Sequence, residues 1–97
     1  LGRYKNNKLH LNWNILKNNN IKTINLIYRE KEDNNYNKIE IPYPKVKNNG
    51  FYSIGKVKVY NYNDSLKYNF FFKEIKRYEV YLELIFNDGN IITSNLF

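Results

Sequence analysis

Cysteine is absent from this 97-residue chain, which excludes a disulfide framework and a thiolate metal site. There is one histidine, His10. A histidine-based metal centre would therefore lack a second imidazole, and no metal or cofactor is expected. No apolar run approaches the roughly 20 residues that a membrane-spanning helix needs. No signal-peptide pattern opens the chain. Leu1, Gly2 and Arg3 read as an internal start, so a piece of a longer protein is expected.

Arginine is scarce, with 3 residues against 13 lysines. Nucleic-acid sites favour arginine for bidentate contacts. The net charge of +7 therefore reads first as composition, since the chain also holds 19 Asn and 10 Tyr and no Ala or Gln. Asn, Lys, Ile, Tyr and Phe share A/T-rich codons. The excess is uneven, however. Residues 1–48 carry 10 basic and 4 acidic side chains, a net +6, and residues 49–97 carry 6 and 5, a net +1. That asymmetry keeps an anionic partner in view.

A chain of this length makes one domain, residues 1–97, with one core and no room for a large catalytic cavity. Period 2 dominates its pattern. Leu9, Leu11, Trp13 and Ile15 alternate with His10, Asn12 and Asn14. Ile24, Leu26 and Tyr28 alternate next. Residues 38–41 form a short strand closed by Pro42 and Pro44, which do not suit a central strand. Asn48, Asn49 and Gly50 signal a turn. Lys56, Lys58 and Tyr60 share one face of a further strand, with Tyr62 in the turn beyond. Tyr68, Phe70 and Phe72 line another strand, and Val80, Leu82 and Leu84 one more. Asp88 and Gly89 predict a type I′ hairpin turn that leads into residues 91–94. No segment of ten residues has helical spacing, although residues 72–78 could make one turn. Seven or eight short strands with regular turn signals predict an all-β, antiparallel two-sheet sandwich. Trp13, on an apolar face, is expected to be buried.

The segments resemble a fibronectin type III domain. Leu9, Leu11 and Trp13 look like its second strand. Ile24, Leu26, Tyr28 and Arg29 look like its third. Phe72 stands six positions before Tyr78, the spacing between its fifth and sixth strands. The stretch between residues 42 and 65 is longer than the family's connection and holds the extra strand at 56–60, as in other immunoglobulin-like sandwiches. The resemblance covers residues 9–96. It implies a fibronectin III-like or immunoglobulin-like fold, and a tyrosine corner in which the Tyr78 hydroxyl bonds to upstream backbone. It also implies a spacer or protein-binding module of a larger cell-surface, secreted or virion protein.

The residues offer little chemistry. Glu79 and Glu83 share one strand face some 13 Å apart at about 3.3 Å per residue, too far for a glycosidase pair. A cross-strand partner such as Arg29 explains one of them more simply. His10 sits on a polar strand face without partners, and no enzyme is expected. Asn63, Asp64 and Ser65 match a glycosylation acceptor, of which about one occurrence is expected by chance in so asparagine-rich a chain. Two surfaces qualify for binding. If Leu26, Val80, Leu82 and Leu84 face the core, Ile27, Tyr81 and Ile85 face outward with Arg29 at their rim, a protein-docking patch. The alternative is a basic surface for nucleic acid or another anionic polymer, carried by Lys56, Lys58, Tyr60 and Tyr62.

Overall fold

Alternating apolar and polar residues can dry one face of a strand and wet the other, and several strands of this chain do so. The computed structural model describes residues 2–43, 50–94 and 97, and at Tyr52 and Ile54 the backbone alone. Nine strands follow one another: β1 (Gly2–Lys5), β2 (Lys8–Leu16), β3 (Ile21–Glu30), β4 (Asn37–Pro42), β5 (Gly50–Ile54), β6 (Val57–Asn61), β7 (Ser65–Phe71), β8 (Tyr78–Phe86) and β9 (Ile91–Thr93). They make one five-stranded sheet, ordered β1-β2-β7-β6-β5, and one four-stranded sheet, ordered β4-β3-β8-β9. Every pairing is antiparallel. The chain thus belongs to the expected all-β, two-sheet sandwich class. Among the described residues there is no helix, and residues 72–77 bend without completing a helical turn. None of these elements is a helix long and apolar enough to cross a membrane.

Two compact units divide the chain, one of Leu1–Asn18 with Pro44–Ile75, the other of Asn19–Tyr43 with Lys76–Phe97. Each contains one sheet. In the first unit, Leu9, Leu11 and Trp13 of β2, Leu66, Tyr68 and Phe70 of β7, and Val57 and Val59 of β6 are buried. The register sets Leu11 opposite Phe70 and Trp13 opposite Tyr68. The latter rings stack with centroids 5.2 Å apart and planes 4° from parallel. A two-residue turn joins β1 to β2 through Asn6 (φ 53°) and Asn7 (φ 62°). Two successive left-handed residues are the type I′ signature, which Asn tolerates because its short amide bonds locally. Between β5 and β6 only Gly55 has positive φ, 59°, the pattern of a type II′ turn.

In the second unit, Leu26 pairs with Leu82 and Ile24 with Leu84, which puts the apolar alternation of β3 and β8 on one face. Strand β3 is buried on both faces, because Ile24, Asn25, Leu26 and Ile27 are all buried. The β8–β9 hairpin departs from the expected type I′ turn. Gly89 N–H donates to the Phe86 carbonyl at 3.0 Å and Phe86 N–H to the Asn90 carbonyl at 2.9 Å. Gly89 alone in this turn has positive φ, 91°. This is a three-residue loop, a type I turn closed by a left-handed glycine. Asp88 favours it by accepting the Asn90 backbone N–H at 2.9 Å, a local turn bond typical of Asp. Past β9, Ser94 N–H donates to the Leu82 carbonyl at 2.9 Å, and Val80 and Phe97 exchange backbone bonds of 3.1 and 2.8 Å. Tyr78 opens β8 half-buried, edge-on to Tyr28 with centroids 6.1 Å apart.

Candidate binding surface

The five-stranded sheet has a second face, and its composition follows from parity alone. Residues 8, 10, 12, 14 and 16 of β2 point away from Leu9, Leu11 and Trp13. Register then fills the face in rows. Arg3, His10 and Phe71 form one row across β1, β2 and β7. Asn12, Asn69, Lys58 and Ser53 form the next across β2, β7, β6 and β5. Asn14, Lys67, Tyr60 and Phe51 form a third. Lys5 pairs with Lys8 beyond the first row. All of these residues are exposed or half-buried.

Five cations stand on this face (Arg3, Lys5, Lys8, Lys58 and Lys67), with no carboxylate in any of its rows. Among the described residues none of the five makes an ion pair, whereas Arg29–Glu79, Lys38–Glu40 and Lys76–Glu30 pair in the other unit. Charge as a whole segregates by unit. The first carries 10 basic and 2 acidic residues, a net +8, and the second 6 and 7, a net −1. Like charges directly opposite one another destabilise a sheet, and Lys5 and Lys8 are so placed. Folding alone gives no reason for that arrangement.

Aromatic rings stand among the cations. His10 stacks on Phe71 with centroids 5.5 Å apart and planes 18° from parallel. Phe51 and Tyr60 pack at 5.0 Å, tilted by 49°. Phe51, Phe71 and Tyr60 are 54%, 45% and 37% exposed. Rings this open on a sheet face present apolar, polarisable surface beside positive charge. Tyr62 lies just past the end of β6 and is also exposed. Lys56 belongs to the β5–β6 turn.

The other expected patch falls in the second unit, so the six candidates divide into Tyr60 and Tyr62 in one unit and Ile27, Arg29, Tyr81 and Ile85 in the other. Parity there is as expected: Ile27 pairs with Tyr81, Arg29 with Glu79 and Thr23 with Ile85. Ile27 is not an exposed centre, however, being only 7% accessible. It sits on a central strand flanked by the longer side chains of Lys38 and Tyr81. Tyr81 and Ile85 are half-buried. Arg29 is committed within its own sheet. Its guanidinium donates to Glu79 Oε1 at 2.6 Å and to the Asp33 carbonyl at 3.2 Å, and lies 5.1 Å from the centroid of the Tyr36 ring. Tyr36 in turn meets Tyr81 edge-on at 6.0 Å. Glu83 accepts from Asn25 Nδ2 at 3.3 Å. Both carboxylates of that strand face thus have partners, Glu79 the expected one. At the hairpin end of the same unit, a shallow depression is lined by Asn20, Phe86, Asn87, Asp88, Asn90 and Ile92. Its single carboxylate, Asp88, is bonded to Asn90.

Sequence reading missed Arg3, Lys5, Lys8, Lys67, Phe51 and Phe71 as parts of one surface. Pairing β2 with β7 and extending the parity of His10 would have found most of them. Comparison with protein-family models, with curated proteins and with solved structures finds no match to this chain.

Proposed function

We propose that this chain is a non-catalytic binding module that holds an anionic polymer on the exposed face of its five-stranded sheet. One observation carries the reading: five cations and four aromatic rings share that face, and no carboxylate neutralises them. Surface charges usually appear with both signs interspersed, and a large field of one sign attracts oppositely charged ligands and speeds their arrival.

The strand order supports an immunoglobulin-like or fibronectin III-like origin for the module. Strands β1, β2, β7 and β6 lie side by side as A, B, E and D do in an immunoglobulin sheet, and β3, β8 and β9 as C, F and G do. Strand β4 then occupies the edge beside C. Domains of this architecture bind far more often than they catalyse. A protein partner docking on Tyr81 and Ile85 has less beneath it, because Ile27 is covered and Arg29 is engaged by Glu79 and Tyr36.

Heparin binding at two salt concentrations tests the proposal. Affinity should fall roughly tenfold or more between about 50 and about 200 mM salt, as several cations release counterions. The double variant Lys58→Glu with Lys67→Glu should lose most of the affinity that remains. Binding that ignores both salt and these substitutions would remove the proposal.

A further inference from the structure

The same face carries a more specific message, resting on the polyanion reading: we infer that its ligand is single-stranded nucleic acid. Charge alone would serve any polyanion, but the rings are placed as well. His10 and Phe71 stack on β2 and β7, and Tyr60 and Phe51 pack on β6 and β5. Their rows lie four residues apart along β7, since Phe71 faces His10 while Lys67 faces Tyr60. That is roughly 13 Å along the strands, with a further shift of two strands across the sheet. Lys58 lies in the row between the two aromatic pairs, and Lys67 stands beside Tyr60 in its own row.

A strand laid diagonally across the face meets rings, then cations, then rings. Bases stack on exposed aromatic side chains while lysines follow the phosphates, which is how sequence-tolerant single-strand binding works. A duplex suits the face poorly. Its bases are already stacked, and reading a groove takes a helix or a two-stranded ribbon that can enter it, whereas this surface is a broad sheet. The scarcity of arginine argues against base-edge readout and does not count against stacking, for which lysine supplies the charge and Tyr, Phe and His the planes. The Asn12, Asn14 and Asn69 amides add donors and acceptors between the rings.

Anisotropy of a fluorescein-labelled dT 20-mer, titrated with the 97-residue chain, tests the inference. Three comparators carry the decision: an abasic 20-mer of equal phosphate count, a 20-base-pair duplex, and heparin. The dT strand should bind about tenfold or more tightly than the abasic strand, because stacking is worth that much when even one base is lost. It should also outbind the duplex. The double variant Tyr60→Ala with Phe71→Ala should shrink the dT-to-abasic affinity ratio several-fold, since half of the stacking rings are gone. The abasic comparison needs no variant, so it decides even if the double substitution disturbs folding. Equal affinity for dT and abasic strands, with heparin still bound, would overturn the single-strand inference and leave the polyanion reading standing. Failure to bind any of the four probes at low salt would overturn both.

Discussion

Trp13 and Tyr68 stack across β2 and β7 with their ring planes 4° from parallel. Both are buried, so the pair joins the central strand β7 to its neighbour β2 from the dry side of the five-stranded sheet. The indole Nε1 of Trp13 is buried without a hydrogen-bond partner among the described residues. Trp13→Ala should cost roughly 3–5 kcal/mol. Trp13→Phe should cost far less, because it keeps a ring for stacking and removes an unsatisfied donor. Urea unfolding followed by circular dichroism measures both, and equal losses would show that the stack is not what matters. Trp13 is the only tryptophan, so blue-shifted native emission should report its burial directly.

Arg29 and Glu79 should be coupled. Their contact is 2.6 Å, both side chains are about a quarter exposed, and the guanidinium has further partners in Asp33 and Tyr36. A double-mutant cycle on Arg29→Met and Glu79→Gln should give about 1 kcal/mol, the upper range for partly exposed pairs. Arg29→Met alone should cost more than Glu79→Gln, since it also removes the contact with Tyr36. A coupling near zero would reduce the pair to surface decoration.

The β1–β2 turn should discriminate sharply at Asn7, whose φ is 62°. Asn7→Gly should be neutral or slightly stabilising, because glycine accepts that conformation freely. Asn7→Val should lose about 1–2 kcal/mol, the cost of a left-handed L-residue. Thermal unfolding of the two variants checks the turn type; two equal midpoints would contradict it.

Lys5 and Lys8 face one another across the same hairpin. Lys5→Glu turns a repulsive cross-strand pair into an attractive one and should stabilise the fold by a few tenths of a kcal/mol, up to about 1. It should also weaken polyanion binding. A gain in stability joined to a loss of affinity is the signature of charge retained for a ligand. If the variant gains stability and binds as before, Lys5 lies outside the contact.

Much of this fold was legible in the sequence, and the parts that were not have physical reasons. Strand β2 declares itself through Leu9, Leu11 and Trp13, and β8 through Val80, Leu82 and Leu84. Strand β1 does not, because Arg3, Tyr4 and Lys5 are all exposed on an edge strand and nothing there need alternate. Its turn was hidden in the composition, since Asn6 and Asn7 are two among 19 asparagines. Strand β5 was also missed; the turn signal before it includes Asn48 and Asn49, which lie outside the described residues. The β8–β9 hairpin was placed correctly at Asp88 and Gly89, but a local Asp88 bond selected a longer loop than the dipeptide suggested. The binding face was the hardest to see. Its cations come from the β1–β2 and β6–β7 hairpins, which meet only through the long-range pairing of β2 with β7. Counting charge by sequence halves gave +6 and +1, whereas counting by folded unit gives +8 and −1.

Contact between the sheet face and a single strand can be mapped residue by residue. In an amide nitrogen–proton correlation spectrum of the labelled chain titrated with a dT 20-mer, the largest shifts should fall on Arg3, His10, Lys58, Tyr60, Lys67 and Phe71. Those residues come from four strands, β1, β2, β6 and β7, and share the exposed face of one sheet. Shifts confined to Ile27, Tyr81 and Ile85, or no shifts at low salt, would contradict the account.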